Sequence, residues 1–294
     1  TPLYSSAASD VYKRQLMLCV LCIAVYGISA CSKEENHKPD TDQSIPAPEP
    51  DPTPEPEPNN YTLQGIMQAA EQLVGKKYSE IHKYMRSYGW DYSEHPNSSD
   101  KDHNDGIHCE VVYDKIIQQY VFKFISHANT EVLDGDRGKL EDRQRNEMKT
   151  QTTVTWYKLN GNWDEWQRLE WKFRIPKDFK PSTNFCHIHQ LKAQEGNNGS
   201  PLITITPRCN SNGSNRRIQV IHTGDKSATN KGTIIDNLPL SDFEDEWIQV
   251  ETEMHYTHNG SFSIKMTRIS DGKILVNKSF SDINTSVKIY RAKS

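Results

Sequence analysis

An all-β domain, an antiparallel β-sandwich of jelly-roll type behind a short helical extension, is what this chain of 294 residues predicts. Three observations lead there. From Ile107 onward the apolar positions recur with period two in ten or more short segments. Asn-Gly and Asp-Gly pairs, the strongest short-range hairpin signals, punctuate those segments at Asn160-Gly161, Asn198-Gly199, Asn212-Gly213, Asn259-Gly260 and Asp271-Gly272. No helical pattern interrupts them, and strands that follow one another without crossover helices pair antiparallel and bury one face against a second layer.

The elements follow in chain order. Residues 1–15 are set aside: Asp10-Val11-Tyr12-Lys13-Arg14-Gln15 looks like the translated end of a sequencing adaptor, which puts the natural start at or near Met17. Residues 16–31 form an apolar run behind Lys13 and Arg14. It is too short to span a bilayer and has the layout of a signal peptide. The run closes on Ile28-Ser29-Ala30-Cys31, a match to the bacterial lipobox, so Cys31 is the expected site of lipidation. Ser32-Lys33-Glu34-Glu35 resembles the surface-export signal of Bacteroidetes lipoproteins, and two or more acyl chains make a stable anchor in the outer membrane or at the cell surface. Residues 32–60 hold 8 of the 15 prolines, alternating with acids, and read as an extended polyproline II spacer.

Residues 61–106 carry apolar positions at Ile66, Ala70, Leu73 and Val74, then at Ile81, Tyr84 and Met85, with Gly75 between. That spacing predicts two short helical turns or one broken helix. The sandwich itself is assigned to 107–294. Its strands are Ile107–Tyr113, Tyr120–Ser126, Arg143–Thr150, Thr153–Leu159, Glu165–Ile175, Phe185–Ala193, Leu202–Pro207, Arg216–Thr223, Trp247–Tyr256, Phe262–Ile269 and Lys273–Phe280.

Charge excludes one class of partner. The net −4 resolves into +1 over residues 1–32, −6 over 33–58 and +1 over 59–294, so the domain lacks the basic bias that nucleic acid selects. Cysteine counting excludes a disulfide scaffold. Once Cys19 and Cys22 leave with the leader and Cys31 is acylated, Cys109, Cys186 and Cys209 remain, an odd number.

Two strands carry chemistry. Along Arg143–Thr150, period two puts Arg143, Arg145, Glu147 and Lys149 on one face. Along Phe185–Ala193 it puts His187 and His189 together, with Ile188 opposite. A charged row is ordinarily the solvated side of a sheet, but a cationic row and an imidazole pair together specify something narrower. Trp156, Tyr157, Trp163, Trp166 and Trp171 are candidates for stacking on sugar rings, with core packing the expected role for at least half of them.

Arg145-x-Glu147-x-Lys149 resembles the R-x-E-x-R/K strand of the jelly-roll, concanavalin A-like polysaccharide lyases: alginate lyases, glucuronan lyases and heparin lyase I. His187-Ile188-His189 stands where those enzymes carry Q-x-H, and the resemblance covers roughly residues 107–294. It implies a polysaccharide lyase cleaving a uronic-acid polymer by β-elimination, without a cofactor or metal, as a monomer. By that resemblance Arg145, with His187 in the glutamine position, neutralises the substrate carboxylate. His189 is the candidate base, although histidine in place of glutamine leaves the choice between His187 and His189 open. Glu147 orients Arg145, and Arg143, Glu147, Lys149, Gln190 and Lys192 form the substrate-binding set. The acid in that superfamily is a tyrosine on a late strand with a lysine-glycine-tyrosine pattern. Here Lys288-Ile289-Tyr290-Arg291 lacks the glycine, so Tyr290 is the candidate acid and the chain is expected to stop just before that strand.

Three rivals stand beside this reading. His187 and His189 with Glu195 resemble the metal-binding pattern of a cupin, but without its glycine or a third histidine. A non-catalytic glycan-binding lipoprotein needs the same sandwich and no base. A sandwich glycoside hydrolase needs two carboxylates on an E-x-D-x-x-E strand, which is absent.

Overall fold

The computed structural model describes residues 22–26, 70–94, 108–125, 146–150, 161–183, 186–193, 199–223 and 232–285. Of these, 53% lie in strands, and every pair of strands runs antiparallel. The protein is all-β with little helix.

The strands are β1 (Cys22–Tyr26), β2 (Trp90–Glu94), β3 (Cys109–Asp114), β4 (Gln119–Phe124), β5 (Glu147–Thr150), β6 (Trp166–Arg174) and β7 (His189–Leu191). They continue with β8 (Ile203–Arg208), β9 (Arg217–His222), β10 (Gly232–Pro239), β11 (Trp247–His255), β12 (Gly260–Arg268) and β13 (Ile274–Ile283). One sheet has the order β1-β6-β11-β12-β13 and a second the order β10-β9-β8-β7, with β2-β5 and β3-β4 as separate pairs.

The expected alternation is realised strand by strand. On β11, Ile248, Val250, Thr252 and Met254 are buried while Gln249, Glu251, Glu253 and His255 face the other way. On β6 the buried set is Leu169, Trp171 and Phe173, and β12 adds Phe262, Ile264 and Met266. In the second sheet Ile203, Ile205, Ile218, Val220 and Ile235 belong to the same continuous apolar cluster. The strand expected at Thr153–Leu159 and the segment around Trp156 and Tyr157 lie outside the described residues.

The helical extension is present, and it shares this core. A 3-10 turn (Glu71–Leu73) is followed by α1 (Tyr78–Ser87), with Gly75 between them at φ +74°, a conformation that side-chain-bearing residues avoid. The break therefore falls at the expected glycine. Ile81 and Met85, one turn apart on α1, are buried with Ala70 and Leu73. At the start of α1 the Lys77 N–H donates to the Glu80 carboxylate at 3.2 Å, satisfying one donor the helix cannot.

β2, which the periodicity did not reveal, pairs with β5. Its Tyr92 is wholly buried and donates to Asn146 Oδ1 at 2.7 Å, while Asn146 Nδ2 donates to the carbonyls of His108 and Ile125. One amide thus ties β2 to the β3–β4 hairpin. The strand β10 was also unforeseen, because its pairing to β9 shifts register twice and Asn237 sits at φ +61°.

β1 falls inside the apolar run expected to be a leader. Its backbone pairs with β6 at residues 168–172. In a chain processed before Cys31 that stretch of β6 would be an edge, and its alternating Arg168, Glu170 and Lys172 are the charges that keep an edge from pairing with other molecules. Among the described residues no helix is long and apolar enough to cross a membrane.

Candidate functional site

The site is best built from the register of the second sheet, because directly opposed residues in an antiparallel pair share a face. His189 opposes Ile205, which opposes Val220. That face is apolar and belongs to the core. Gln190 opposes Thr204, and Thr206 opposes Gln219. That face is polar, and yet Thr204, Thr206 and Gln219 are all buried. Polar groups withheld from water must be hydrogen-bonded or their desolvation goes uncompensated.

The two threonines are bonded to each other, and Gln219 to Asp236. His187 Nδ1 lies 2.7 Å from Thr206 Oγ1, and the Thr206 hydroxyl donates to Thr204 Oγ1 at 3.1 Å. Nδ1 of His187 is thus engaged with Thr206, and Nε2 is the ring's other nitrogen. Burial, with the Arg208 guanidinium adding to it, holds the His187 pKa below its ordinary value, so the ring is neutral at pH 7. Further along the face, Gln219 Nε2 donates to Asp236 Oδ1 at 3.0 Å and Arg217 Nε to the same oxygen at 3.1 Å.

β5 meets this face where Gln190 Nε2 donates to Glu147 Oε1. The alternation expected on β5 holds for its described residues. Asn146 is turned to the buried Tyr92, and Met148 packs against the core. Glu147 reaches the polar face, and Lys149 opposes Asp91 of β2. Lys192 is exposed beyond the end of β7. Arg143, Arg145, Tyr290, Cys31 and Glu195 lie outside the described residues.

The expectation that His187 and His189 share a face is not met. β7 begins only at His189, the backbone bends at Ile188, and Cys186 sits at φ 151°. This kink consumes one residue of the alternation. His187 consequently meets Thr206 on the polar face, whereas Ile188 and His189 both turn toward the core. There the His189 ring stacks on Trp171 of β6, centroids 4.7 Å apart at 22°. His189 Nε2 and Trp171 Nε1 are both buried without a hydrogen-bond partner. Burial pushes the His189 pKa down to about 4. Trp171 is correspondingly a core residue, as expected for part of the aromatic set.

Cys109, Cys186 and Cys209 are unbridged, and burial pushes the thiols of Cys109 and Cys186 up to about 12, far from a reactive thiolate. Among the described residues no group of three histidine, cysteine, aspartate or glutamate side chains is placed to hold a metal ion.

Thr204, Thr206, Gln219, Arg208 and Asp236 went unremarked in the sequence. A signal was there: Ile203-Thr204-Ile205-Thr206 alternates strictly, and continuing the threonine face across to Gln219 assembles the polar row. No protein-family model, curated protein or solved structure matches the chain.

Proposed function

We propose that the protein is a polysaccharide lyase that cleaves a uronic-acid polymer by β-elimination. It works on a jelly-roll sandwich, acts as a monomer and is held at the outer membrane or cell surface by lipid on Cys31. The observation that carries this reading is the polar face of the second sheet, where Gln190 donates to Glu147 and the buried pair Thr204–Thr206 holds the half-buried imidazole of His187, whose pKa is lowered. A half-buried, hydrogen-bonded neutral histidine suits proton abstraction from a weak carbon acid.

In this reading His187 is the base and His189 supports the core. The C5 proton passes to His187 Nε2, and its electron pair becomes the C4–C5 double bond. The C4–O4 bond breaks, and O4 takes a proton from an acid, the role assigned to Tyr290. Arg145, two residues before Glu147, neutralises the substrate carboxylate so that charge developing on it is stabilised. Glu147, Lys149 and Gln190, with Arg143 and Lys192, bind the polymer.

A second reading, a glycan-binding lipoprotein without chemistry, is favoured by the inward turn of His189, which leaves one imidazole rather than two on the polar face. A panel of alginate, glucuronan, glycosaminoglycans and a rhamnose-containing uronan separates the two. A lyase raises the ultraviolet absorbance of the unsaturated product on at least one of them. Binding to a polymer with no absorbance change on any establishes the second reading. Cys31→Ala is expected to release the protein from the membrane fraction.

A further inference from the structure

Tryptophan is among the most buried side chains of folded proteins, yet Trp163 and Trp166 are 55% and 57% exposed. Trp163 stands in the turn that enters β6, and Trp166, the first residue of β6, alternates with the buried Leu169, Trp171 and Phe173 and so shares the outer face with Arg168 and Glu170. The rings are held in place. The Trp166 indole stacks on His255 with centroids 4.6 Å apart and planes within 2°, and Trp163 meets the His258 ring edge-on at 4.8 Å. His255 Nε2 is in turn 3.0 Å from Asp164 Oδ1.

The backbone beneath them is fastened as well. Asp164 N donates to the Tyr256 carbonyl at 2.8 Å, and Tyr256 N donates to the Glu165 carbonyl at 3.0 Å. The Glu165 carboxylate accepts from both Asn162 N and Asn162 Nδ2 at 2.9 Å. Gly161 lies so close to the Tyr256 ring that a Cβ there would come within 2.0 Å of it. Two exposed indoles on a pre-ordered turn form a platform that loses little conformational freedom on binding.

We propose that the Trp163–Trp166 turn is a glycan-binding site, separate from the polar row, that takes a neutral polysaccharide. The chemistry of the patch selects the ligand. Two indoles interleaved with Asn162, Asp164 and Glu165 offer apolar faces beside hydrogen-bonding groups, which suits a sugar ring with its C–H face and hydroxyl rim. A protein partner would need a contiguous patch of about 800 Å² per side, and this one is broken by polar side chains. Residues 161–166 include two acids and no lysine or arginine, and Arg168, two positions on along β6, is already paired with Glu170 and Glu251 at 2.6 and 3.2 Å. An acidic polymer would be repelled there. A neutral one is not.

The test is affinity electrophoresis of the full chain in gels containing hydroxyethyl cellulose, laminarin or xyloglucan, with alginate as the acidic comparison. The expected result is retardation on at least one neutral glycan, weakened about tenfold or more in Trp163→Ala/Trp166→Ala and only in part in Trp163→Tyr/Trp166→Tyr, which keeps a ring at each position. An unchanged thermal midpoint in both variants shows that lost binding is not lost folding. Wild-type mobility on every neutral glycan, or undiminished retardation in the double alanine variant, overturns the proposal. So does a wild-type dimer in solution that the alanine variant abolishes, which would make the patch a protein interface. None of these outcomes depends on lyase activity.

Discussion

Along β6, β11 and β12 the side chains facing away from the core include Arg168, Glu170, Glu251 and Lys265, and these neutralise one another. Arg168 pairs with Glu170 at 2.6 Å and Glu251 at 3.2 Å, and Lys265 pairs with Glu251 at 3.0 Å. On β7, β8 and β9 the corresponding face carries Gln190, Thr204, Thr206 and Gln219, mostly uncharged and mostly buried. The first face is rich in charge and partly solvated, and exposed ion pairs of that kind contribute little. The second gives up hydration at its threonines and its glutamine, and it regains that only through specific hydrogen bonds. Charge density alone therefore does not single out the second face. The face that withholds polar groups from water is the one with a neutral imidazole at its end.

The largest expected effect tests that contrast at its sharpest point. His187→Ala should lower turnover on the cleaved uronan by a factor on the order of 10²–10⁴, the range for a lost general base, while His189→Phe leaves turnover within about threefold of wild type. Initial rates from product absorbance read both. The reverse ranking would return the base to His189.

The second effect concerns stability and pH. Unfolded, His189 takes up a proton near pH 6.5, but in the folded core only near pH 4. The unfolded state thus binds more protons between those values, and stability is lost as pH falls through that window, by up to roughly 3 kcal/mol below pH 4. Urea unfolding at pH 7, 5.5 and 4.5 should show this slope. His189→Phe, which keeps a ring against Trp171 and removes the unpartnered nitrogen, should flatten it.

The entry to β5 offers a comparison between adjacent residues. Asn146→Ala, on the core side, should cost about 1–3 kcal/mol by removing the amide's bonds to Tyr92 Oη and to the carbonyls of His108 and Ile125, with turnover per folded molecule nearly unchanged. Glu147→Ala, on the polar side, should do the opposite and impair turnover with less effect on the thermal midpoint. The smallest effect belongs to the ion-paired face. Glu251→Gln should shift stability by less than about 1 kcal/mol, shrink further in added salt, and leave turnover alone.

Much of the fold was legible because a strand with one buried face must alternate. β11, β6, β12 and the β3–β4 hairpin fall within about two residues of their expected bounds. What escaped was whatever broke the alternation. β2 is five residues long and follows a helix, and β10 is twice out of register with its neighbour. The kink at Cys186 and Ile188 was the costliest omission. A single bend reverses every later side chain on a strand, and no residue in Phe185-Cys186-His187-Ile188-His189 announces it. The polar row was half legible. Glu147 and His187 were singled out, but Thr206, bonded to His187, and Thr204, bonded to Thr206, were not, because they look like ordinary strand residues until the register brings them together.

The separation of the two histidines is most directly tested by imidazole nitrogen–proton correlation spectra recorded against pH, with and without a short acidic oligosaccharide. Both rings should be neutral at pH 7, His187 should be the Nδ1–H tautomer that a base acting at Nε2 requires, and its signals should move on adding oligosaccharide. His189 should stay unmoved and titrate only near pH 4. A His189 signal that titrates near 6.5 and shifts with the oligosaccharide, while His187 does not respond, would contradict that separation.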